Sequence, residues 1–295
     1  MKTQIIILIF SIALCFISCD NTIPVEPNAS FKPDSLEFKA GSEIVFKHSG
    51  DCDYVTFWSG EEGQIFENRH RIEVPVDSAY FQFNNYTAYG NTAQPRPISV
   101  YISNSFKGNY SELGIYDIST SWDTVTPANT PNVATSLVAV PSGKIDISKY
   151  KDAPFFIAFK FVSDSMSGTA RQVRIKDFEI NTYTKAGLIK SNTLSTFGFK
   201  PVNIKGPGAW TQTAVQLDIR GTAQKWEEDW FITKELVLNR VNSDKGLAIK
   251  TLADNMADFR YIYTKPGVYN ATLEIVNSRY GDSKVVYQNI TFTVK

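Results

Sequence analysis

The chain has 295 residues, 13% of them aromatic, and its 30 Lys and Arg side chains balance its 30 Asp and Glu side chains. A formal net charge of zero excludes the broad basic surface that nucleic-acid-binding proteins present. The length suffices for more than one domain, each with its own buried core.

The first predicted element is a signal-like segment at the N-terminus. An uncharged apolar run over 5–16 follows a basic start, and the small residue Ser18 stands directly before Cys19. This pattern is typical of a secretory signal peptide, and the run is too short to span a bilayer stably. The order Phe16-Ile17-Ser18-Cys19 resembles the bacterial lipobox. That resemblance implies removal of residues 1–18 and attachment of lipid to Cys19.

A tether is predicted over residues 19–34. The segment is polar and carries three prolines, which favour a solvated, semi-extended chain. With Cys15 removed and Cys19 lipidated, Cys52 is the only remaining thiol, so no disulfide within the chain is expected. The mature protein must therefore be stabilised by burial, with Cys52 as a small core residue.

The rest of the chain reads as β-structure. Short alternations of apolar and polar residues recur between turn residues, and no long segment keeps the helical spacing of apolar positions. The frequent Val, Ile, Thr and aromatic residues also favour strands. We predict strands over 36–39, 43–48, 54–59, 80–84, 98–103, 122–125, 143–147, 155–162, 172–180, 212–219, 230–238, 259–263, 267–277 and 283–294.

Two stretches far apart in sequence are interpreted as the ends of one domain. In the first, Ala40-Gly41-Ser42-Glu43 leads into an apolar strand. The second contains Phe259-Arg260-Tyr261-Ile262-Tyr263 and Lys265-Pro266-Gly267-Val268-Tyr269, and it ends in an alternation over 285–294. Together they resemble the opening and closing strands of an immunoglobulin-like domain of the PKD type. The resemblance implies a discontinuous domain over 35–72 and 241–295.

The segment between these ends resembles a jelly-roll module similar to carbohydrate-binding modules. Phe155-Phe156-Ile157-Ala158-Phe159-Lys160 and the strand over 173–180 resemble its concluding strands, and Glu228-Asp229-Trp230-Phe231-Ile232-Thr233 resembles its opening strand. Because the opening strand comes last here, we expect a permuted jelly roll over 73–240. The predicted fold class is all-β, an immunoglobulin/PKD-like sandwich with an inserted jelly-roll sandwich.

Taken together, the run over 49–61, the Ile-Ala-Phe-Lys strand, the Glu-Asp-Trp strand and the Lys-Pro-Gly-Val-Tyr ending resemble the domain-of-unknown-function family 5017. Its members are cell-surface lipoproteins of Bacteroidetes that accompany SusC/SusD-like glycan uptake systems. The resemblance implies display at the outer membrane and a part in glycan capture. It supplies no catalytic residues.

Catalytic chemistry has little support in the sequence. His48 and His70 are the only histidines, and neither lies in a zinc-binding or hydrolase motif. The carboxylates of Glu61-Glu62 and Glu227-Glu228-Asp229 are a conceivable pair for glycoside hydrolysis, but solvated turn carboxylates are the simpler interpretation. We therefore expect that the protein is not an enzyme.

A structural calcium ion is the one cofactor considered. Jelly rolls often hold one with carboxylates and backbone carbonyls. The candidate ligands are Asp146, Asp177, Glu228 and Asp229, although no EF-hand spacing is present.

Sugar binding needs aromatic faces that are free to stack on a pyranose ring, with amides and carboxylates nearby. Trp210 follows Gly206-Pro207-Gly208-Ala209, which reads as an exposed loop, and Tyr86 and Tyr89 fall in a polar, turn-rich stretch. Trp58 precedes Ser59-Gly60 and is placed at a loop tip. These four residues are the predicted ligand-binding residues.

The sequence predicts a lipid-anchored, non-catalytic surface protein that binds a polysaccharide or oligosaccharide. Its expected partners are that glycan, the membrane through its lipid, and a SusC/SusD-like importer, with no nucleic acid. The alternative is an adhesion or scaffolding lipoprotein that binds protein partners through the same sandwiches.

Overall fold

The computed structural model describes residues 23–90, 97–127, 138–163, 169, 171–220, 226–279 and 281–295. The chain divides into two compact units. The first unit ends at Ile72 and resumes over Asn242–Lys295, and the second unit is Glu73–Val241. Both are built of packed β-sheets, so the predicted all-β sandwich class is confirmed.

The first unit contains two sheets. The smaller sheet has the order β1 (Ser30–Pro33), β3 (Glu43–Ser49), β18 (Asp258–Ile262). The larger sheet has the order β17 (Leu247–Lys250), β4 (Tyr54–Trp58), β19 (Gly267–Arg279), β20 (Asp282–Val294), β2 (Glu37–Phe38). Every pairing between named strands of the described chain is antiparallel except that of β2 with β20.

The core of the first unit follows from strand alternation. Successive side chains of a strand point to opposite faces, so Val55 and Phe57 of β4 lie on the same face as Leu273 and Ile275 of β19. All four are at most 1% exposed and pack with Phe46 of β3. Cys52 belongs to this core as a free thiol, and burial raises its pKa.

The predicted tether is wrong at its C-terminal end. Residues Ser30–Pro33 form β1, whose Phe31 is fully buried in the core of the first unit. Asn28 already bonds to the body of the unit, since its backbone N–H donates to the carbonyl of Asp51 at 3.3 Å. An apolar ring in a polar, proline-bearing segment is enough to fix that segment as an edge strand.

The second unit also contains two sheets. The five-stranded sheet has the order β13 (Lys200–Lys205), β16 (Glu227–Ile232), β10 (Phe156–Ser163), β6 (Ile98–Ser103), β7 (Asp123–Thr124). The seven-stranded sheet has the order β14 (Ala209–Gln212), β15 (Gln216–Arg220), β11 (Gln172–Thr184), β5 (Ser78–Ala88), β8 (Val140–Pro141), with β12 (Gly187–Thr193) paired to β11 and β9 (Ile145–Asp146) paired to β5.

The two sheets of the second unit enclose a large aromatic core. Phe81, Phe83, Phe159 and Phe178 are each at most 2% exposed and contact one another edge-to-face or offset-stacked.

The short helix α1 (Glu112–Ile115) begins at Ser111, whose side chain accepts the N–H of Gly114.

The outer faces of these sheets differ. On the five-stranded sheet, Phe106, Ile115 and Trp122 from the connection around α1 pack over Trp230 and Phe156. The corresponding outer side of the seven-stranded sheet carries half-buried polar and tyrosine side chains from β5 and β11.

Five observed strands were not predicted, namely β1, β8, β12, β13 and β17, and β14 overlaps a predicted strand only at Gln212. All six lie at the end of a sheet path or off it, where one ladder edge is unpaired and the alternation of apolar residues is weak. β13 also contains Pro201, which a sheet interior would exclude.

Candidate functional site

Strand β5 separates a core face from an outer face. Phe81 and Phe83 point into the core, and the intervening Tyr80, Gln82 and Asn84 are half-buried on the other side. Three successive outer positions thus carry a phenol and two amides.

Strand β11 brings carboxylates alongside those amides. Gln82 pairs in register with Glu179, and Asn84 pairs with Lys176. The register shifts between Lys176 and Glu179, and the extra residue Asp177 has a left-handed backbone with φ of 52°. This is a β-bulge, a device that redirects side chains and is often found next to functional sites.

Amide–carboxylate hydrogen bonds connect the two strands. The Asn84 side chain donates to Asp177 Oδ2 at 2.9 Å. The Gln82 amide donates to Glu179, which also accepts from Asn181 at 3.1 Å. Each carboxylate is therefore oriented by an amide and keeps further acceptor positions for a ligand.

Two tyrosines lie at one end of this row. The rings of Tyr80 and Tyr183 are stacked with centroids 5.5 Å apart, and their hydroxyls are 2.6 Å apart. The hydrogen bond with Tyr183 and the nearby Lys144 lower the pKa of Tyr80, whereas the bond with Tyr80 raises the pKa of Tyr183. Either hydroxyl can donate this bond. The Lys144 ammonium lies 4.4 Å from the centroid of the Tyr80 ring.

Two cavities adjoin the bulge. The first, about 210 Å³, is lined by Gln82, Phe83, Asn84, Pro141, Gly143, Asp177 and Glu179. The second, about 330 Å³, is lined by Asp177, Phe178, Glu179, Thr193, Leu194, Ala214 and Val215. Asp177 and Glu179 line both cavities. We call the set Tyr80, Gln82, Asn84, Asp177, Glu179, Asn181 and Tyr183 the polar face.

The polar face offers oriented acceptors and donors next to aromatic rings. Pockets that enclose drug-sized ligands have volumes of roughly 300–1,000 Å³, so the first cavity is smaller than such pockets and the second lies at the lower end of their range. The arrangement suits a hydroxyl-rich ligand of which one or two small units contact the protein at a time.

Tyr86 is the predicted ligand-binding residue nearest to the polar face, but it is largely covered. It is 5% exposed, and its hydroxyl accepts from Arg174 at 3.0 Å. Arg174 also pairs with Asp218 at 3.5 Å, and Gln172 donates to both carboxylate oxygens of Asp218. Tyr86 therefore belongs to a structural network across β5, β11 and β15.

The exposed loop predicted for Trp210 is wrong. Trp210 lies in β14 and is 4% exposed, because its ring stacks on Phe231 with centroids 5.5 Å apart and 12° between the planes. The loop-tip position predicted for Trp58 is also wrong, since this residue ends β4 and is 7% exposed against the edge of Phe66. Neither indole offers a face to a ligand.

Tyr89 is exposed as predicted, with 66% of its surface open to solvent and a left-handed φ of 49°. It follows the last residue of β5, whereas the polar face lies along the middle and the start of that strand. The structure thus separates Tyr89 from the row of amides and carboxylates.

The four predicted calcium ligands do not converge. Asp146 accepts from Ser148, Asp177 accepts from Asn84, and Glu228 pairs with Lys160 at 3.0 Å. Adjacent positions on β16 send the side chains of Glu228 and Asp229 to opposite faces. Within the described ranges, no three His, Cys, Asp or Glu side chains are grouped to hold a metal ion.

Asp229 has an unusual environment. It is 1% exposed, and its Oδ2 atom lacks a hydrogen-bond partner close under Gly208. Burial, followed by the charges of Glu227 and Glu228, raises its pKa to about 7. A side chain packed this tightly against backbone leaves no space for a ligand, so its protonation is a matter of stability.

Cys19 and the signal segment lie outside the described residues. In the described part of the chain, no helix has both the length and the apolar character needed to cross a membrane.

Sequence reasoning missed every residue of the polar face except Asp177, namely Tyr80, Gln82, Asn84, Glu179, Asn181 and Tyr183. Their pattern was nevertheless present, because Tyr80, Gln82, Asn84 and Tyr86 alternate with two buried phenylalanines. Polar and tyrosine residues that alternate with buried apolar residues, as they do over 79–84, indicate the outer face of a strand.

Comparison with known proteins gives a family but no function. No curated protein matches the chain. Among solved structures, a mutant of Salmonella alpha-2-macroglobulin is similar at 9% identity, over 94% of this chain and 17% of that chain, with a TM-score of 0.11. The chain thus spans less than a fifth of that protein, and so low a score supports no structural argument. The profile of a domain of unknown function, DUF5017, matches residues 18–199, which is more than half of the sequence. The chain belongs to the DUF5017 family.

Proposed function

We propose that this protein is a non-catalytic glycan-binding protein whose site is the polar face of the seven-stranded sheet. The observation that carries the proposal is the row of two amide–carboxylate pairs, Asn84 with Asp177 and Gln82 with Glu179, flanked by two cavities and ending in stacked tyrosines. Sugars are bound by such combinations, because carboxylates and amides bond to hydroxyls and aromatic faces cover the apolar side of the ring.

The proposal includes a cellular setting. The lipobox-like segment before Cys19 supports lipid anchoring, and the family resemblance supports display on the outer membrane beside a SusC/SusD-like importer. In this setting the protein holds a polysaccharide or oligosaccharide at the surface of a Bacteroidetes cell for uptake. A triacylated cysteine would bind the membrane far more firmly than a single acyl chain.

The test is affinity electrophoresis of residues 23–295 in gels that contain single polysaccharides. Tyr183→Ala and Asn84→Ala should each raise the dissociation constant obtained from the retardation about tenfold. This is the effect of one lost stacking contact or one lost hydrogen bond. Tyr287→Ala changes an exposed tyrosine of the first unit, serves as the control and should bind like the unmodified protein.

The substitution Tyr89→Asn distinguishes a glycan site on the polar face from a glycan site beyond the end of β5. Asn accepts the left-handed backbone of Tyr89, so the substitution removes the ring without adding strain. If Tyr89→Asn abolishes retardation while Tyr183→Ala leaves it intact, the ligand binds beyond the end of β5 and the polar face is not the site.

Protein-partner binding is the second candidate, and one observation favours it. On the larger sheet of the first unit, Tyr54, Val276 and Val285 are neighbours in register, and Tyr287 lies beside them. Tyr54, Val285 and Tyr287 are between 36% and 49% exposed. An exposed apolar row of this kind is typical of protein interfaces. Failure of every polysaccharide to retard the protein would favour this function.

A further inference from the structure

The charged residues that line the two cavities indicate which class of glycan the site can bind. Asp177 and Glu179 line both cavities, and the remaining lining residues given above are uncharged. No Lys, Arg or His is among them. A ligand group that enters either cavity therefore meets two carboxylates and no opposing cation from its lining.

The cations elsewhere on the same sheet face are directed at other groups. Arg174 pairs with Asp218 and bonds to Tyr86, and the Lys176 ammonium lies 5.6 Å from the centroid of the Tyr86 ring. Lys144 lies over Tyr80, at the tyrosine end of the face. Among the described residues, the two cavities at the bulge are thus lined by two carboxylates, and Lys176 and Lys144 lie against Tyr86 and Tyr80 on either side of it.

We infer that the polar face selects uncharged glycans and rejects those that carry carboxylates, such as uronate polymers. The inference rests on the proposed function. Neutral sugar hydroxyls donate to Asp177 and Glu179, forming hydrogen bonds to an ionised acceptor, which are the stronger kind. A carboxylate on the ligand supplies no proton for such bonds and is repelled by both side chains.

Two substitutions remove the charge and keep the geometry. Asp177→Asn tolerates the left-handed backbone and keeps a carbonyl oxygen that accepts from Asn84. Glu179→Gln likewise keeps an oxygen that accepts from Gln82 and Asn181. The double variant D177N/E179Q therefore tests charge separately from shape.

The experiment compares each neutral polysaccharide that retards the protein with its carboxymethyl derivative. The hydroxyethyl derivative of the same polymer controls for the added bulk. At about 20 mM salt, where charges are weakly screened, the carboxymethyl form should bind the unmodified protein at least tenfold more weakly than the hydroxyethyl form. The difference should shrink at about 300 mM salt and disappear in D177N/E179Q.

The outcomes separate this inference from the proposed function. Equal or tighter binding of the carboxymethyl form, abolished by Tyr183→Ala, would overturn the selectivity and leave the glycan site in place. A selectivity that persists in D177N/E179Q would assign it to other groups and also overturn the inference. If no polysaccharide retards the protein, both proposals fall.

Discussion

Asp229 should make the second unit less stable as the pH rises from 4 to 8. Its pKa is near 7 in the folded protein and 3.8 for an unperturbed carboxyl. Between these values the folded state holds a proton that the unfolded state has lost, so the free energy of unfolding falls as pH rises and levels off above pH 7. Below pH 4 the stabilising contribution is complete.

The size of the effect follows from the two pKa values. Linkage gives a decrease of about 3 kcal/mol in the free energy of unfolding between pH 5 and pH 8. Relaxation around the Gly208 backbone would admit water and reduce this figure, so we expect about 1–3 kcal/mol. Asp229→Asn replaces the ionisable group by a neutral one of the same shape and should remove this part of the pH dependence.

Urea unfolding followed by tryptophan fluorescence measures the effect in the correct unit. Four of the five tryptophans, all except Trp58, lie within Glu73–Val241. Stability should be determined at pH 5, 6, 7 and 8 for the unmodified protein, for Asp229→Asn and for Glu112→Gln, an exposed carboxylate of the same unit. Parallel curves for the unmodified protein and Asp229→Asn would refute the reasoning, because they would mean that Asp229 ionises in the folded state as it does in the unfolded chain.

Three further substitutions have definite expected outcomes. Gly60→Ala should destabilise the first unit by about 1–3 kcal/mol in urea unfolding followed by circular dichroism, since φ is 79° and an added Cβ would lie 2.7 Å from the carbonyl oxygen of Asn270. Tyr263→Phe should cost about 1–2 kcal/mol by the same measurement, because the buried hydroxyl donates to the carbonyl of Ser59 at 2.8 Å and its loss leaves that oxygen unpaired. Asp177→Gly should weaken the binding of glycans at least tenfold while changing the stability of the second unit by less than about 1 kcal/mol, because relief of the left-handed backbone offsets the added chain entropy. A loss of stability as large as that of Gly60→Ala would instead make Asp177 a structural residue.

Strong apolar alternation made the central strands predictable. The predicted 98–103 agrees with β6, and the predicted 155–162 overlaps all but the last residue of β10. Both strands are paired on two sides, so their side chains face a core on one side and a second layer on the other. Edge strands such as β12 bury few side chains, so their sequences lack the alternation of apolar and polar residues that predicts a strand.

The aromatic residues show why the site was harder to predict. Trp210 follows Gly206 and Gly208, which suggested a loop, but those glycines bring the chain close to β16 and direct the indole into the core. Tyr80 lies in a predicted strand and Tyr183 lies beyond the end of the predicted strand 172–180, and neither stands out, because tyrosine is frequent in both cores and outer faces. The local sequence predicts that a segment is a strand. The pairing and packing of the strands determine which aromatic side chains remain accessible to a ligand.

The bulge at Asp177 follows from the sequence of β11 and positions a carboxylate of the proposed binding site. Before it, Val173 and Ile175 face the core at odd positions; after it, Phe178 and Ile180 face the core at even positions. A three-residue step between Ile175 and Phe178 breaks the period of two, so the sequence itself required an extra residue here. An aspartate tolerates the left-handed backbone that this extra residue adopts. Its carboxylate then lies on the outer face between the two cavities, and the packing of the core thereby places a charge where the proposed ligand binds.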